Sequence, residues 1–207
     1  NPHFYYNTLS SIMVLAENGD SQTVVKMCRN LSQIMRYITS TTETTVTLKD
    51  ELDYVQKYLY CMKVRYQSSL NYSIDVDERL LSQPVPKLII QPIVENAIRY
   101  GSDCAPPWNI SVTSVVTHGS WQIEVSDTGP GFTEEAKERI TANIMKAIQN
   151  PGLPELKING LGTVNVYLRW KIFCKGDIIF RYGNNADGHG VVSIGRYFQN
   201  KEDAETV

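Results

Sequence analysis

No apolar run in these 207 residues approaches the roughly 18–20 needed to span a bilayer, and no signal peptide is read at the start. Cysteine is scarce: Cys28, Cys61, Cys104 and Cys174 lie far apart, without a CxxC pair or histidines at metal spacing. That argues against a zinc site and leaves mostly buried, reduced thiols of a cytosolic compartment as the expectation. Charge of one sign is lacking too, with 20 basic against 22 acidic residues and a net charge of −2. No general attraction for nucleic acid or an anionic membrane surface follows, so phosphate chemistry must come from local features. There is no G-x-x-x-x-G-K-[ST] and no strand, turn and helix unit with G-x-G-x-x-G, which excludes a P-loop and disfavours a dinucleotide site. Internal repeats and low-complexity tracts are absent as well.

What remains is a globular composition, 42% apolar and 20% charged, enough for one generous core or two modest ones. Tyr5, Leu9, Ile12 and Ala16 recur at spacings of four and three, a helical stripe, and Asn18-Gly19-Asp20-Ser21 ends it with turn chemistry. Val24, Cys28, Leu31, Met35 and Ile38 form a second stripe. Two such helices on a short loop make an antiparallel hairpin. Alone it buries too little, so a homodimer completing a four-helix bundle is expected. The chain opens on Asn1-Pro2-His3 rather than Met, in the middle of a helical pattern, so a fragment is expected, with any membrane segment upstream.

A threonine-rich connector, Thr39 to Thr45, is the candidate boundary between residues 1–45 and 46–198, with 199–207 a polar tail. Thr47 reads as a helix N-cap with Asp50 three residues on, followed by a stripe of Leu48, Leu52, Val55, Leu59 and Met62. Alternation predicts strands over Leu70–Val76, Ile110–Val116, Trp121–Val125, Ile178–Tyr182 and Val191–Ile194. Helices are predicted over Lys87–Tyr100, Glu134–Gln149 and after Gly162. The fold class is therefore α+β: a helical hairpin, then a sandwich of helices on a mixed, mainly antiparallel sheet.

Three motifs in the second half carry possible chemistry. In Gln91-Pro92-Ile93-Val94-Glu95-Asn96-Ala97-Ile98-Arg99-Tyr100-Gly101, Asn96, Arg99 and Tyr100 share a helix face. An amide oxygen can ligate Mg²⁺, a guanidinium can pair with phosphate, and a phenol ring can stack on a base. Asp127-Thr128-Gly129-Pro130-Gly131-Phe132 ends a strand, where a carboxylate can accept from an exocyclic amine and glycines admit close approach. Asn159-Gly160-Leu161-Gly162-Thr163-Val164-Asn165 opens a helix, whose N-terminal N–H groups favour anions. Singly, each is also ordinary structure: a buried helix with a polar rim, a turn, a helix start.

In this order and spacing the motifs resemble the N, G1 and G2 boxes of the GHKL ATP-binding superfamily of gyrase, histidine kinase and MutL type. The resemblance implies that Asn96 holds Mg²⁺ and that Asp127 reads the adenine amine of ATP. Gly129, Gly131, Gly160, Leu161 and Gly162 would shape the nucleotide pocket, and Arg99 and Tyr100 would line it. The segment from Thr133 to Asn159 would form its lid. Asn1-Pro2-His3-Phe4-Tyr5-Tyr6-Asn7-Thr8-Leu9 resembles the N-P-H-F-x-x-N-x-L signature of LytS/YesM-type sensor histidine kinases. That resemblance runs to about residue 195 and implies that His3 accepts the γ-phosphate and passes it to an aspartate of a response regulator. It also implies the cytoplasmic portion of a bacterial inner-membrane sensor.

An imidazole nitrogen is a competent nucleophile at cytosolic pH. Asn7, one helical turn on, is a candidate to orient it or to position a water, with an interhelical hydrogen bond as the alternative. Phe4 stands where many histidine kinases have an acidic base, and Glu95 is the leading candidate for that role. Pro92 occupies the place of the water-activating glutamate of the gyrase branch, which favours transfer to histidine over hydrolysis. Tyr100 stands where the family often has histidine. His118 and His189 lie in glycine-flanked turns and are assigned no role. The alternatives are a GHKL serine kinase or ATPase, and a signalling module that binds nucleotide or only dimerises.

Overall fold

A computed structural model of the chain describes residues 2–40, 44–149 and 162–198. Helices α1 (Pro2–Glu17) and α2 (Ser21–Thr39) form the hairpin. Gly19 takes φ +76° in its turn, and Asp20 caps α2 by accepting from Thr23 N at 3.1 Å. The short strand β1 (Thr45–Thr47) leads into α3 (Leu48–Tyr66). Thr47 and Asp50 close the reciprocal capping box that their spacing predicts, with Asp50 N donating to Thr47 Oγ1 at 3.2 Å and Thr47 N to Asp50 Oδ2 at 3.0 Å. The predicted stripe on α3 is buried in full.

The remaining elements are β2 (Leu70–Asp75), β3 (Pro84–Pro86), α4 (Gln91–Gly101), β4 (Trp108–Val116), β5 (Ser120–Asp127), α5 (Glu134–Gln149), α6 (Gly162–Cys174), β6 (Ile178–Asn184) and β7 (Gly190–Tyr197). β1 pairs with β3, and the main sheet has the order β2-β4-β5-β7-β6. Only β2 and β4 run parallel, so the sheet is mixed and mainly antiparallel, as read from the sequence. Alternate residues Ile110 and Val112 of β4 and Trp121, Ile123 and Val125 of β5 enter the core. There they join Val55 and Leu59 of α3, Val94 and Ala97 of α4, and Val166 and Trp170 of α6.

Trp170 fixes α6 to the sheet. Its ring meets Trp121 edge to face at 5.9 Å, and its indole N–H donates to Gly195 O at 2.7 Å. A Cβ at Gly195 would run into Trp121 O and stand 2.6 Å from Gln122 Cα across the β5–β7 ladder. Gly195→Ala is therefore expected to destabilise the fold by about 1–3 kcal/mol through overpacking. In thermal unfolding the midpoint would drop by roughly 2–4 °C per kcal/mol, whereas an unchanged midpoint would mean that the two strands separate freely.

On the hairpin, the faces turned to the core are Phe4 and Thr8 on α1 and Met27, Leu31 and Ile34 on α2. Of the predicted stripes only Leu31 is buried, while Leu9 and Met35 are each 49% exposed. Both sides of α2 carry apolar residues: α3 takes one of them, and most of the predicted stripe stays outward on a single chain, the side the expected dimer would cover. The thiols are also less hidden than expected, since Cys61 is buried, Cys104 and Cys174 are half-buried and Cys28 is exposed.

Candidate nucleotide-binding site

Helix α4 begins at Gln91, four residues later than predicted, because residues 87–90 are used differently. Its N-cap, Ile90, offers no side chain to the free N–H groups of the first turn. Glu51 of α3 instead holds the three residues that lead into the helix, from 37–39 positions away. Its carboxylate accepts from Leu88 N at 2.5 Å, Ile89 N at 2.8 Å and Ile90 N at 3.1 Å. Glu51 is 0% exposed, and burial raises its pKa against these hydrogen bonds, which lower it. Leu88 is held at φ +59°, a left-handed conformation that costs a branched residue about 1–3 kcal/mol.

So anchored, α4 buries Ile93, Val94, Ala97 and Ile98 and turns Glu95 and Asn96 to its half-buried side. Asn96 Nδ2 points at Thr163 Oγ1, 3.4 Å away in the first turn of α6. A Cβ on Gly162 would stand 3.4 Å from the same amide. The first and third motifs thus meet at Asn96. Gly160 and Leu161, also predicted for the site, lie outside the described residues. Arg99 and Tyr100 sit at the exposed end of α4, the guanidinium 5.6 Å from the phenol ring.

The second motif closes the other end. Asp127 is the last residue of β5, and its Oδ1 accepts from Gly129 N at 2.8 Å. Glycines wall the carboxyl group. A Cβ on Gly129 would lie 2.7 Å from Oδ1, one on Gly190 2.8 Å from Oδ2, and one on Gly101 3.2 Å from Asp127 Cβ. Larger side chains would fill this cradle. Burial raises the Asp127 pKa, while the Gly129 N–H and the nearby His189 oppose the rise. Gly131 takes φ +74°, and a Cβ there would meet Gly188 O and stand 2.6 Å from Asn184 Oδ1. Asn184 fixes the loop by accepting from Phe132 N at 2.7 Å and donating to Phe132 O at 3.1 Å.

His189 and Gly190 are the site residues that the sequence missed. His189 Nδ1 lies 2.9 Å from Gly129 O, although the histidine follows it by 60 positions. Only the insertion of β7 beside β5 brings them together, and no local pattern announces it. α5, the described part of the predicted lid, has no buried residue; Thr141 and Tyr182 hydroxyls pin it to β6 at 2.7 Å.

His3 is exposed in the first turn of α1 and Asn7 half-buried in the second. Phe4 packs α1 on α3, its ring 4.9 Å from that of Tyr58. Glu95 accepts from Gln91 Nε2 at 2.6 Å, and burial raises its pKa against that bond. Burial, and then the Glu95 charge, raise the pKa of the Tyr5 phenol on α1. The arrangement offers one amide oxygen, a glycine-walled carboxylate, a helix N-terminus, a partly desolvated carboxyl group and a histidine-bearing helix.

These features define a nucleotide-binding α+β sandwich joined to a helical hairpin. The family described as "Histidine kinase-, DNA gyrase B-, and HSP90-like ATPase" matches residues 83–194, more than half of the chain, and "Histidine kinase" matches residues 1–70. The chain is 34% identical over 133 residues to the sensor histidine kinase YesM of Bacillus subtilis, covering 64% of this chain and 23% of that protein. It is 30% identical over 179 residues to an uncharacterized sensor-like histidine kinase of Staphylococcus epidermidis, covering 84% and 34%. The chain thus spans about a quarter to a third of the length of these relatives. The catalytic domain of histidine kinase ThkA shares the fold at TM-score 0.50 and 20% identity, covering 77% of this chain and 97% of that one. The chain belongs to the histidine kinase, gyrase B and HSP90-like ATPase family, and it is similar to sensor histidine kinases of the LytS/YesM type. Among the described residues no helix is long and apolar enough to cross a membrane.

Proposed function

We propose that this chain is the kinase core of a two-component sensor, residues 1–45 presenting His3 and residues 46–198 binding Mg-ATP. The observation that carries the proposal is the meeting of Asn96, midway along α4, with Thr163, while glycines wall Asp127 beside the helix's C-terminal end. The donor set fits the ligand. Asn96 offers a hard amide oxygen, suited to Mg²⁺, which keeps phosphate and water oxygens as its other ligands and would supply charge neutralisation when bound. The N-terminus of α6 suits the phosphates. Asp127, an acceptor in a cradle too narrow for a side chain, suits an exocyclic amine.

The neutral His3 imidazole attacks the γ-phosphorus, the bond to the leaving ADP oxygen breaks, and the imidazole N–H proton is released. Glu95, partly desolvated and felt by the Tyr5 phenol of α1, is the group to take it. Asn7 orients the imidazole. Arg99 and Tyr100 line the pocket's rim, Gly160 and Leu161 are assigned to the nucleotide pocket by the family resemblance alone, and α5 belongs to the lid. The phosphoryl group then passes to an aspartate of a response regulator docking on the hairpin of a homodimer. The outward apolar side chains of Leu9, Met13, Val25 and Met35 support that dimer. The protein would be the cytoplasmic part of a membrane sensor, with the membrane segment upstream.

Incubation with [γ-³²P]ATP and Mg²⁺ tests the whole scheme: acid-labile, alkali-stable label on the chain is expected, and acid-stable label would count against it. In the same assay Glu95→Gln should slow labelling by about 100-fold, the ordinary contribution of a general base, with Mg-ATP affinity little changed. Unimpaired labelling would remove Glu95 from the role.

A further inference from the structure

The four residues that deliver the chain into α4 are gripped from two sides. On one side stands the Glu51 carboxylate with its three backbone donors. The same oxygen that accepts from Leu88 N also accepts from the Tyr37 hydroxyl of α2 at 2.6 Å. Lys87 adds a second tie to α2: its Nζ donates to Ser40 O at 2.6 Å and lies 4.8 Å above the Tyr37 ring. On the other side Arg169 of α6 donates to Leu88 O at 3.0 Å and to Lys87 O. Tyr37 is braced in turn by stacking on Tyr54 of α3, 4.9 Å between ring centroids.

Residues 87–90 therefore answer to the last turn of α2 and to α6 at once. Glu51 is 0% exposed, so its donors cannot exchange it for water when the geometry changes. A turn or shift of α2 must either drag the start of α4 with it or break the Tyr37 bond. Those two outcomes are the alternatives that coupling between distant sites requires.

We propose that Tyr37 and Glu51 form a positioning relay that sets the start of α4, and with it Asn96, according to the orientation of the second hairpin helix. The relay rests on the reading of α4 as the nucleotide-binding helix, and it deepens that reading by making the nucleotide site responsive to the hairpin. Neither residue touches nucleotide. Leu88 at φ +59° is the position where the backbone would yield, because its left-handed conformation is held only by the surrounding bonds.

Amide hydrogen exchange on the full 207-residue chain tests it. Tyr37→Phe removes one hydroxyl and keeps the ring. Without nucleotide it should speed exchange at Leu88, Ile89, Ile90 and the first turn of α4 by about 10-fold, leaving the β4–β5 ladder unchanged. Equal loss of protection everywhere, or no change at these amides, overturns the relay. With Mg-ATP, the wild-type chain should gain protection in residues 36–40. Tyr37→Phe should lose that gain while its Kd for Mg-ATP stays within about 3-fold, since the three backbone bonds to Glu51 remain. Glu51→Gln, whose NH2 must face one set of these donors, should speed exchange at the same amides at least as much as Tyr37→Phe, and the double variant should exchange no faster at Leu88 than Glu51→Gln alone; additive effects would show two independent contacts and sink the proposal. A wild-type chain that binds no Mg-ATP in calorimetry would refute the nucleotide reading, and the nucleotide-free arm would still decide the relay.

Discussion

Asp127→Ala is expected to weaken Mg-ATP binding by roughly 10- to 100-fold, the largest effect of any single change in the pocket. Loss of a hydrogen bond to a charged acceptor costs about 1.5–3 kcal/mol, and each 1.4 kcal/mol is tenfold in Kd. Calorimetry reads it directly, and a Kd within twofold of wild type would take Asp127 out of the pocket. The pH dependence follows from the raised pKa of this carboxyl group. Because the folded value lies above the unfolded one, the protonated group favours the fold at low pH. That contribution is fully present below the unfolded pKa and is lost as pH rises through the folded one. Ligand binding runs the other way, since only the ionised form is a pure acceptor. Affinity should be full above the raised pKa and fall as pH drops through it. Asp127→Asn should accordingly raise the unfolding midpoint at neutral pH while weakening ATP, the mark of a group kept for binding at a cost in stability.

His3→Ala is expected to abolish acid-labile labelling while leaving the Kd for Mg-ATP within about twofold, because the two sites share no side chain. The imidazole is exposed on the first turn of α1, so its removal leaves no cavity, and the unfolding midpoint should stay within a degree or so of wild type. Residual labelling of the same lability would point to His118 or His189. His118 lies in the loop between β4 and β5. His189 is engaged with Gly129 O, which makes it the poorer candidate of the two.

The hairpin shows how far periodicity carries. It places α1 and α2, the turn at Gly19 and the stripe of Tyr5 and Leu9, while α3 covers a different side of α1, Phe4 and Thr8. A helix with apolar residues on two sides has two possible partners, and spacing cannot say which is α3. On α3 the ambiguity vanishes: one side is apolar and the other polar, and every predicted core position is buried. The start of α4 was misjudged for a related reason. Lys87-Leu88-Ile89-Ile90 is apolar enough to continue a helix, but a carboxylate from α3 claims its N–H groups.

Local chemistry alone determined the elements of this protein, the capping box at Thr47, the glycines of the turns and the three motifs that bear Asn96, Asp127 and Gly162. Each depends on residues within a helical turn or a strand of one another, where covalent spacing fixes geometry. Tertiary structure decided the rest. It inserted β7 beside β5 and so set His189 and Gly190 against the Asp127 loop. It also brought Glu51 under α4 and joined it to Tyr37. Such meetings depend on strand order and helix packing, which are settled by the whole core at once and leave no mark in any short stretch of chain.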